Sequence, residues 1–216
     1  MNKASLLDRL DKIDIYPVTC ENLSAGRSNV EVLTEVIRGG AKIIQLREKQ
    51  YCLREFYKLA VIFRKITTEA GVLLIINDHV DIALAVQADG IHLGQDDLPV
   101  PMALKLAPGL IIGASTHNRE EALQAQKDGA DYINIGPIYP TKTKEKVARF
   151  LGPGAIPAIS AGIHVPFTVM GGINASNIDE VAAQGARRIA MVSAITKAPD
   201  IAETVRMLRK RISGQS

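Results

Sequence analysis

The sequence has no tryptophan, and aromatic side chains make up only 4% of its 216 residues. Proteins that bind single-stranded nucleic acids stack the bases on aromatic side chains, so this composition argues against such partners. Charge of one sign is also missing, because 26 basic and 23 acidic residues give a formal net charge of +3. A nucleic-acid-binding or membrane-surface protein is therefore not expected, and an anion site must come from a local cluster of charges.

The two cysteines, Cys20 and Cys52, are too few for a disulfide framework and lack the spacing of a zinc site. We expect two free thiols in a reducing compartment. The first ten residues alternate apolar and charged side chains, unlike a secretory signal, and apolar runs such as 72–76 are too short to cross a bilayer. Together these features predict a cytoplasmic protein.

Short apolar runs rich in β-branched residues recur along the whole sequence, and glycine or polar residues bound each of them. Runs of this kind are typical of strands that are buried on both faces. Most of the gaps carry apolar residues at helical spacing, as in 53–70, 119–127 and 199–212. The predicted strands are 13–18, 42–46, 73–76, 90–93, 110–112, 132–135, 167–170 and 188–192.

A glycine-containing junction precedes four of these strands, at Gly40-Ala41, Asp89-Gly90, Gly129-Ala130 and Gly185-Ala186. Glycine just past the end of a helix adopts the left-handed conformation at little cost, so the junction marks a return from helix to strand. Eight such units of about 27 residues predict a (β/α)₈ TIM barrel in one domain, residues 1–216. An open doubly wound sheet is the alternative, but no glycine-rich dinucleotide fingerprint follows the first strand.

The functional residues of an α/β barrel lie where its strands end, and the second predicted strand leads into a cationic stretch. Gln45, Arg47 and Lys49 alternate at the period of a strand and therefore point to one side. A bidentate arginine and a lysine suit a phosphate group. The alternative is that Arg47 and Lys49 are solvated charges paired with Glu48.

The next two predicted strands each lead to a carboxylate, Asp78 and Asp97. Two carboxylates, together with phosphate oxygens and water, suit octahedral Mg²⁺. Alternatively, Asp78 caps a helix and Asp97 belongs to a turn before Pro99. Asp96 is the weaker candidate for a ligand. His79, His92 and His117 form no catalytic triad and are interpreted as structural or rim residues.

Later strands lead to further polar groups. Thr141, Thr143 and Lys144 lie in a long segment, 141–154, that either closes over a phosphorylated ligand or is a solvated loop. Gly172 and Ser193 follow the seventh and eighth strands, where many barrels bind a phosphate through backbone N–H groups.

Taken in order, these blocks resemble the thiamine-phosphate synthase family over about residues 13–196. The matching stretches begin with Gln45-Leu46-Arg47-Glu48-Lys49, Ile76-Asn77-Asp78 and His92-Leu93-Gly94-Gln95-Asp96-Asp97. They continue with 136–144 (which contains Pro140-Thr141-Lys142-Thr143-Lys144), Gly171-Gly172-Ile173 and Val192-Ser193-Ala194-Ile195. Residues 145–160 match the family poorly, and Cys20 and Asn134 depart from its usual pattern.

The resemblance implies the enzyme that joins 4-amino-2-methyl-5-(diphosphooxymethyl)pyrimidine to a thiazole phosphate and releases diphosphate. It implies that phosphorylated small molecules are the partners, that Asp78 and Asp97 hold Mg²⁺, and that Arg47, Lys49, Ser115 and Lys144 are catalytic. The implied pyrimidine diphosphate site comprises Gln45, Leu46, Arg47, Glu48, Lys49, Asn77, Ser115 and Lys144. The implied thiazole phosphate site comprises Thr141, Lys142, Thr143, Gly172, Val192 and Ser193.

Two other functions remain open from the sequence. A thiazole tautomerase-like relative would share the barrel, although such relatives generally lose the Gln-x-Asp and Pro-Thr-x-Thr-Lys blocks that this chain keeps. A catalytically silent protein that binds a phosphorylated ligand would also keep the charged rim.

Overall fold

A computed structural model describes residues 2–141 and 150–214 of the chain. Eight parallel strands form one sheet in the order β1-β8-β7-β6-β5-β4-β3-β2. A bridge between Val18 and Gln45 links β1 to β2 and closes the sheet into a barrel. The strands are β1 Ile15–Pro17, β2 Ile43–Leu46, β3 Leu73–Asn77, β4 Gly90–Leu93, β5 Ile111–Thr116, β6 Tyr132–Ile135, β7 Phe167–Val169 and β8 Ile189–Met191.

Helices alternate with these strands, as a (β/α)₈ barrel requires. A short 3-10 turn, Glu21–Leu23, follows β1. The helices are α1 Lys3–Asp11, α2 Asn29–Arg38, α3 Leu53–Ala70, α4 Val80–Ala85, α5 Val100–Leu106, α6 Arg119–Lys127, α7 Ala155–Ser160, α8 Ile178–Ala183, α9 Ser193–Thr196 and α10 Ile201–Ser213.

The predicted barrel and all eight predicted strands are confirmed, with shifts of a few residues at the strand ends. The helices predicted over 53–70 and 119–127 are observed with those bounds. The last helix begins two residues later than the predicted 199, because the Asp200 side chain accepts a hydrogen bond from Glu203 N (2.8 Å) and acts as the N-cap.

Three of the four junction glycines have the expected left-handed backbone, namely Gly40, Gly129 and Gly185 with φ of 85°, 91° and 90°. Gly90 differs because it lies inside β4. A Cβ on Gly90 would lie 2.7 Å from the carbonyl oxygen of Ile111 on β5. At this junction glycine is therefore needed for close strand approach, and Gln87 supplies the left-handed turn with φ of 53°.

The interior of the barrel changes character along its axis. Apolar side chains such as Ile43, Leu73 and Ile111 fill the amino-terminal end, where Leu6 and Leu10 of α1 pack against them. A second, larger apolar cluster lies between the strands and the surrounding helices. The inward-facing positions nearer the carboxyl ends are polar, and they form the floor of a pocket.

Gly113 of β5 provides the space for a large side chain inside the barrel. It pairs in register with Tyr132 of β6, and a Cβ at position 113 would lie 2.1 Å from Cζ of that ring. We therefore predict that Gly113→Ala overpacks the interior and lowers the free energy of unfolding by about 1–3 kcal/mol.

Chemical denaturation of both proteins measures this change. Gly109→Ala is the matched control, since a Cβ there has no heavy atom within 4 Å, and it should change stability by less than about 0.5 kcal/mol. Equal effects of the two substitutions would contradict the packing role of Gly113.

Candidate active site

A pocket of about 750 Å³ opens at the carboxyl-terminal rim of the barrel. Residues at or just beyond the ends of all eight strands line it, which is where α/β barrels carry their active sites. The polar residues that follow the predicted strands thus gather at one end of the barrel.

The cationic side of the pocket comes from the end of β2. Gln45, Arg47 and Lys49 all line the pocket, as the strand period predicts. The backbone of Arg47 is fixed by the segment that follows β1, because Arg47 N donates to Thr19 Oγ1 at 2.9 Å. Two positive charges are thereby held on one wall of the pocket.

The two intervening residues of this block face away from the pocket. Leu46 is fully buried in the cluster beneath the helices. The Glu48 carboxylate accepts a hydrogen bond from Glu21 N at 2.9 Å, and burial raises its pKa. The side chain of Glu48 therefore fixes the turn after β1, and neither residue lines the pocket.

Asp78 and Asp97 meet at the rim, although they follow different strands. Their carboxyl groups lie close enough to shift each other's pKa, and Lys49 forms an ion pair with Asp78. Asp78 does not cap α4, because His79 occupies the N-cap position. Asp97 also accepts a hydrogen bond from Gly94 N at 2.6 Å, so it has a role in the turn as well.

The contact between these carboxyl groups shifts their pKa values in opposite directions. Burial raises the pKa of Asp78, and Asp97 raises it further, while Lys49 opposes the rise. Burial acts to raise the pKa of Asp97 too, but the hydrogen bonds from Asp78 and from Gly94 N outweigh it and lower that pKa. In the metal-free protein the pair therefore keeps one proton most readily on Asp78.

Asn77 and Ser115 line the same pocket from β3 and β5. Ser115 lies 2.9 Å from Nε2 of His92, measured from its Oγ. His92 is buried and its ring lines the pocket, in keeping with its interpretation as a structural or rim residue.

The opposite side of the pocket comes from the last two strands and the segment after β6. Thr141, Gly172, Val192 and Ser193 line it. A Cβ on Gly172 would lie 2.5 Å from Pro140 O, so only glycine lets these two segments pack together. The remaining candidates here, Lys142, Thr143 and Lys144, lie outside the described residues.

Several residues of the pocket were not predicted from the sequence. Tyr16, Asn134, Thr168 and Lys197 all contribute to its wall. The first three are buried inside the barrel, where Thr168 Oγ1 donates to Asn134 Oδ1 at 2.8 Å. Inward positions on strands could have suggested them, whereas Lys197 lies beyond α9 and gave no pattern to follow.

Within residues 2–141 and 150–214, no cluster of three or more histidine, cysteine or acidic side chains could hold a metal ion by itself. A cation at Asp78 and Asp97 would therefore need oxygen atoms from a ligand or from water. No helix in the described part of the chain has the length and apolar character needed to cross a membrane.

The fold and the pocket define a class, a (β/α)₈ barrel with a charged and polar pocket at its carboxyl-terminal rim. A family model described as thiamine monophosphate synthase matches residues 15–195. The chain belongs to this family, whose members are transferases of thiamine biosynthesis.

Individual relatives agree with this assignment. A thiamine-phosphate synthase from Pelotomaculum thermopropionicum is 47% identical over 208 residues, which cover 96% of this chain and 95% of the relative. One from Chloroflexus aurantiacus is 45% identical over 199 residues, covering 92% of both chains.

Solved structures extend the comparison to the fold. A thiamine phosphate pyrophosphorylase from Pyrococcus furiosus superposes with a TM-score of 0.88 at 38% identity, covering 97% of this chain and 98% of that one. A 3-hexulose-6-phosphate synthase, at 20% identity and a TM-score of 0.69 over 92% of this chain and 99% of its own, shares the fold alone.

The carboxylate pair leads to a stability prediction for the metal-free protein. The pKa of Asp78 is higher in the folded than in the unfolded protein. The free energy of unfolding therefore falls as pH rises from the unfolded to the folded pKa, and above the folded pKa the ionised carboxylate carries the full penalty. Asp78→Asn removes the penalty, and asparagine tolerates the left-handed backbone at this position, φ 62°.

In EDTA at neutral pH we expect Asp78→Asn to raise the melting temperature by about 2 °C, a shift readily measured for a domain of this size. Asp96→Asn removes a neighbouring carboxylate of the same rim and should leave the melting temperature unchanged. A lower melting temperature for Asp78→Asn would show that the pair does not repel.

Proposed function

We propose that the protein joins 4-amino-2-methyl-5-(diphosphooxymethyl)pyrimidine to a thiazole phosphate with release of diphosphate, and that Mg²⁺ bound at Asp78 and Asp97 assists the reaction. The proposal depends chiefly on one observation: two cationic side chains and two carboxyl groups from three different segments meet at one pocket. Membership of the thiamine monophosphate synthase family supports it.

The pyrimidine diphosphate binds along the β2, β3 and β5 side of the pocket. Arg47 and Lys49 contact the diphosphate, with Asn77 and Ser115 as additional donors, and Gln45 lies deeper and contacts the pyrimidine. Lys144, which lies outside the described residues, is the third cation that the family resemblance assigns to this group. An arginine and a lysine together supply both bidentate and point-charge contacts to phosphate oxygens.

The thiazole phosphate binds on the β7 and β8 side. Gly172, Val192 and Ser193 offer backbone N–H groups and a hydroxyl near the start of a short helix, an arrangement that many barrels use for phosphate. Thr141 extends this side, and Lys142 and Thr143 belong to the same segment beyond the described residues. The two substrates thus enter from opposite sides and meet near the pocket floor.

The residues present fit a magnesium ion. Asp78 and Asp97 are in contact with each other, and burial and mutual repulsion hold the pKa of Asp78 up, a cost that a divalent cation would remove. Magnesium commonly uses one or two protein carboxylates and takes its other oxygens from phosphate and water. When bound, the ion supplies positive charge that neutralises the diphosphate.

The protein's own contribution to the chemistry is electrostatic and positional. The bond between the pyrimidine methylene carbon and the diphosphate oxygen breaks, and its electron pair leaves with the diphosphate. Arg47, Lys49 and the Ser115 hydroxyl stabilise the charge that develops on this oxygen. The thiazole nitrogen then forms a bond to the same carbon, which the electron-rich pyrimidine ring has stabilised as a cation.

This scheme needs no covalent nucleophile on the protein.

We propose further that residues 1–216 act as one domain, and that the two free thiols of Cys20 and Cys52 fit a cytoplasmic location.

One assay separates this function from its rivals. Incubation of the protein with both substrates and Mg²⁺ should yield thiamine phosphate and diphosphate in equal amounts. A folded protein that only isomerises a thiazole ring would be a tautomerase-like relative. A folded protein that binds the substrates without forming product would be a silent binder, and either result would reject the synthase.

The metal site is tested by Asp78→Asn and Asp97→Asn. Each should lose most of its turnover, at least about a hundredfold, because a developing negative charge loses its counter-ion. EDTA should have the same effect on the unsubstituted protein. Binding of Mn²⁺, followed by electron paramagnetic resonance, should weaken in both variants but not in Asp96→Asn. Full activity in EDTA would reject the metal assignment.

The cationic wall is tested by Lys49→Ala. We expect kcat/KM for the pyrimidine diphosphate to fall by two or more orders of magnitude, since the lost contact strengthens in the transition state. Cys52→Ser is the control, because Cys52 is an exposed residue at the start of α3 and should retain full activity. Unchanged kinetics in Lys49→Ala would show that this lysine does not contact the diphosphate.

A further inference from the structure

A continuous chain of hydrogen bonds runs through the barrel interior beneath the pocket and joins two of its polar residues. Gln45 Nε2 lies 3.0 Å from Tyr16 Oη, and Tyr16 Oη lies 3.0 Å from Tyr132 Oη. Tyr132 Oη lies 2.9 Å from His92 Nδ1, and His92 Nε2 lies 2.9 Å from Ser115 Oγ. Five side chains from five strands therefore form one path from Gln45 to Ser115.

The contacts allow two orders of donors, because either phenol can donate to the other and His92 can carry its proton on either ring nitrogen. The amide nitrogen of Gln45 donates to Tyr16 in both orders. In the order that runs outward from Gln45, Tyr16 gives its own proton to Tyr132, and Tyr132 donates to Nδ1 of His92. Each phenol has a single proton to give, and burial keeps both phenols neutral by raising the pKa of each far above its usual value.

In this order the His92 ring accepts at Nδ1 and carries its proton on Nε2. It therefore donates to Ser115 Oγ, and the Ser115 hydroxyl proton is left to point elsewhere. Because Ser115 lines the pocket, its proton is then available to a ligand there. With the opposite order of donors, Ser115 would give its proton to His92 and offer the pocket only an acceptor.

We propose that Tyr132 is a positioning residue that fixes the Nε2–H tautomer of His92 and thereby turns the Ser115 hydroxyl toward the leaving diphosphate, a role that rests on the proposed function for its final step. Tyr16 supports Tyr132 by donating to it. An oriented donor at this place stabilises charge as the diphosphate departs, without reorganisation at the moment of reaction.

The surroundings of Tyr132 suit this role. Its side chain is fully buried, its ring packs against the backbone of Gly113, and its hydroxyl lies between Tyr16 and His92. Within the part of the chain that the structure describes, Tyr132 is not among the residues that line the pocket. It would therefore influence a substrate only indirectly, through His92 and Ser115 on one side or through Tyr16 and Gln45 on the other.

The tautomer of His92 is measured directly, without substrates, by nitrogen-15 NMR of histidine-labelled protein. The chain has four histidines, and the His92 resonances are assigned by their loss in His92→Gln. The unsubstituted protein should show His92 protonated on Nε2 alone, and Tyr132→Phe should show a mixture of the two tautomers. A proton on Nδ1 in the unsubstituted protein, or an unchanged tautomer in Tyr132→Phe, would overturn the proposal.

A double-mutant cycle then links the tautomer to the reaction. Tyr132→Phe should lower kcat about tenfold with little change in the KM of the thiazole phosphate, because an oriented donor to the leaving group is lost. In a Ser115→Ala background the same substitution should have almost no further effect, since Tyr132 acts through Ser115. Equal effects in both backgrounds would indicate a general structural role and overturn the proposal.

Two further variants keep the result interpretable. Thr67→Val removes a buried hydroxyl in α3 that donates to Phe63 O at 2.8 Å, far from the pocket, and should leave kcat and the His92 tautomer unchanged. Tyr16→Phe leaves the Tyr132–His92 contact in place. It should also increase the population of the His92 tautomer protonated on Nδ1, but less than Tyr132→Phe does. An unchanged tautomer population in Tyr16→Phe would overturn the supporting role of Tyr16. If the unsubstituted protein forms no product, the proposed function fails. The tautomer measurement then still decides whether Tyr132 fixes the tautomer of His92.

Discussion

The contact between the carboxyl groups of Asp78 and Asp97 is the constraint on which the rest of the site depends. Two acidic groups held together in a partly buried place oppose folding unless a proton or a cation lies between them. The barrel imposes this contact because β3 and β4 are adjacent and end at the same rim. Lys49 partly offsets the charge. The arrangement is consistent with the proposal that a metal ion and a phosphorylated ligand complete the site.

Every second side chain at the carboxyl end of β2 faces the pocket and contributes to its wall. From β2, Gln45, Arg47 and Lys49 face inward while Leu46 and Glu48 support the outside, so one five-residue stretch serves both the site and the scaffold. The polar chain from Gln45 to Ser115 lies just below this wall. It lies between the apolar cluster that contains Leu6 and Leu10 of α1 and the charged residues of the rim.

Much of the fold could be predicted from local patterns. Buried strands read as continuous apolar runs, and helix ends followed by Gly40, Gly129 and Gly185 mark the returns to the barrel. The convergence of Arg47, Lys49, Asp78 and Asp97 followed from the rule that sites lie at strand ends. These inferences needed only the period of a strand and the order of the units.

The rest of the site depends on contacts that no local pattern encodes. The hydroxyl groups of Tyr16 and Tyr132 meet across 116 positions of sequence, and the space for the second ring depends on a glycine of the neighbouring strand, Gly113. Leu46 and Glu48 were assigned to the pyrimidine diphosphate site because the family resemblance covers residues 45–49 as one block. Strand alternation alone would have predicted that these two side chains face away from the pocket. Lys197 follows a four-residue helix whose direction only the closed barrel determines.

The most direct test of the central claim is anomalous diffraction from crystals of the protein soaked with Mn²⁺ and diphosphate. The account predicts one strong anomalous peak within bonding distance of both Asp78 and Asp97, with the diphosphate between that ion and the side chains of Arg47 and Lys49. A metal ion bound elsewhere, or a diphosphate held only by the β7 and β8 side of the pocket, would contradict it.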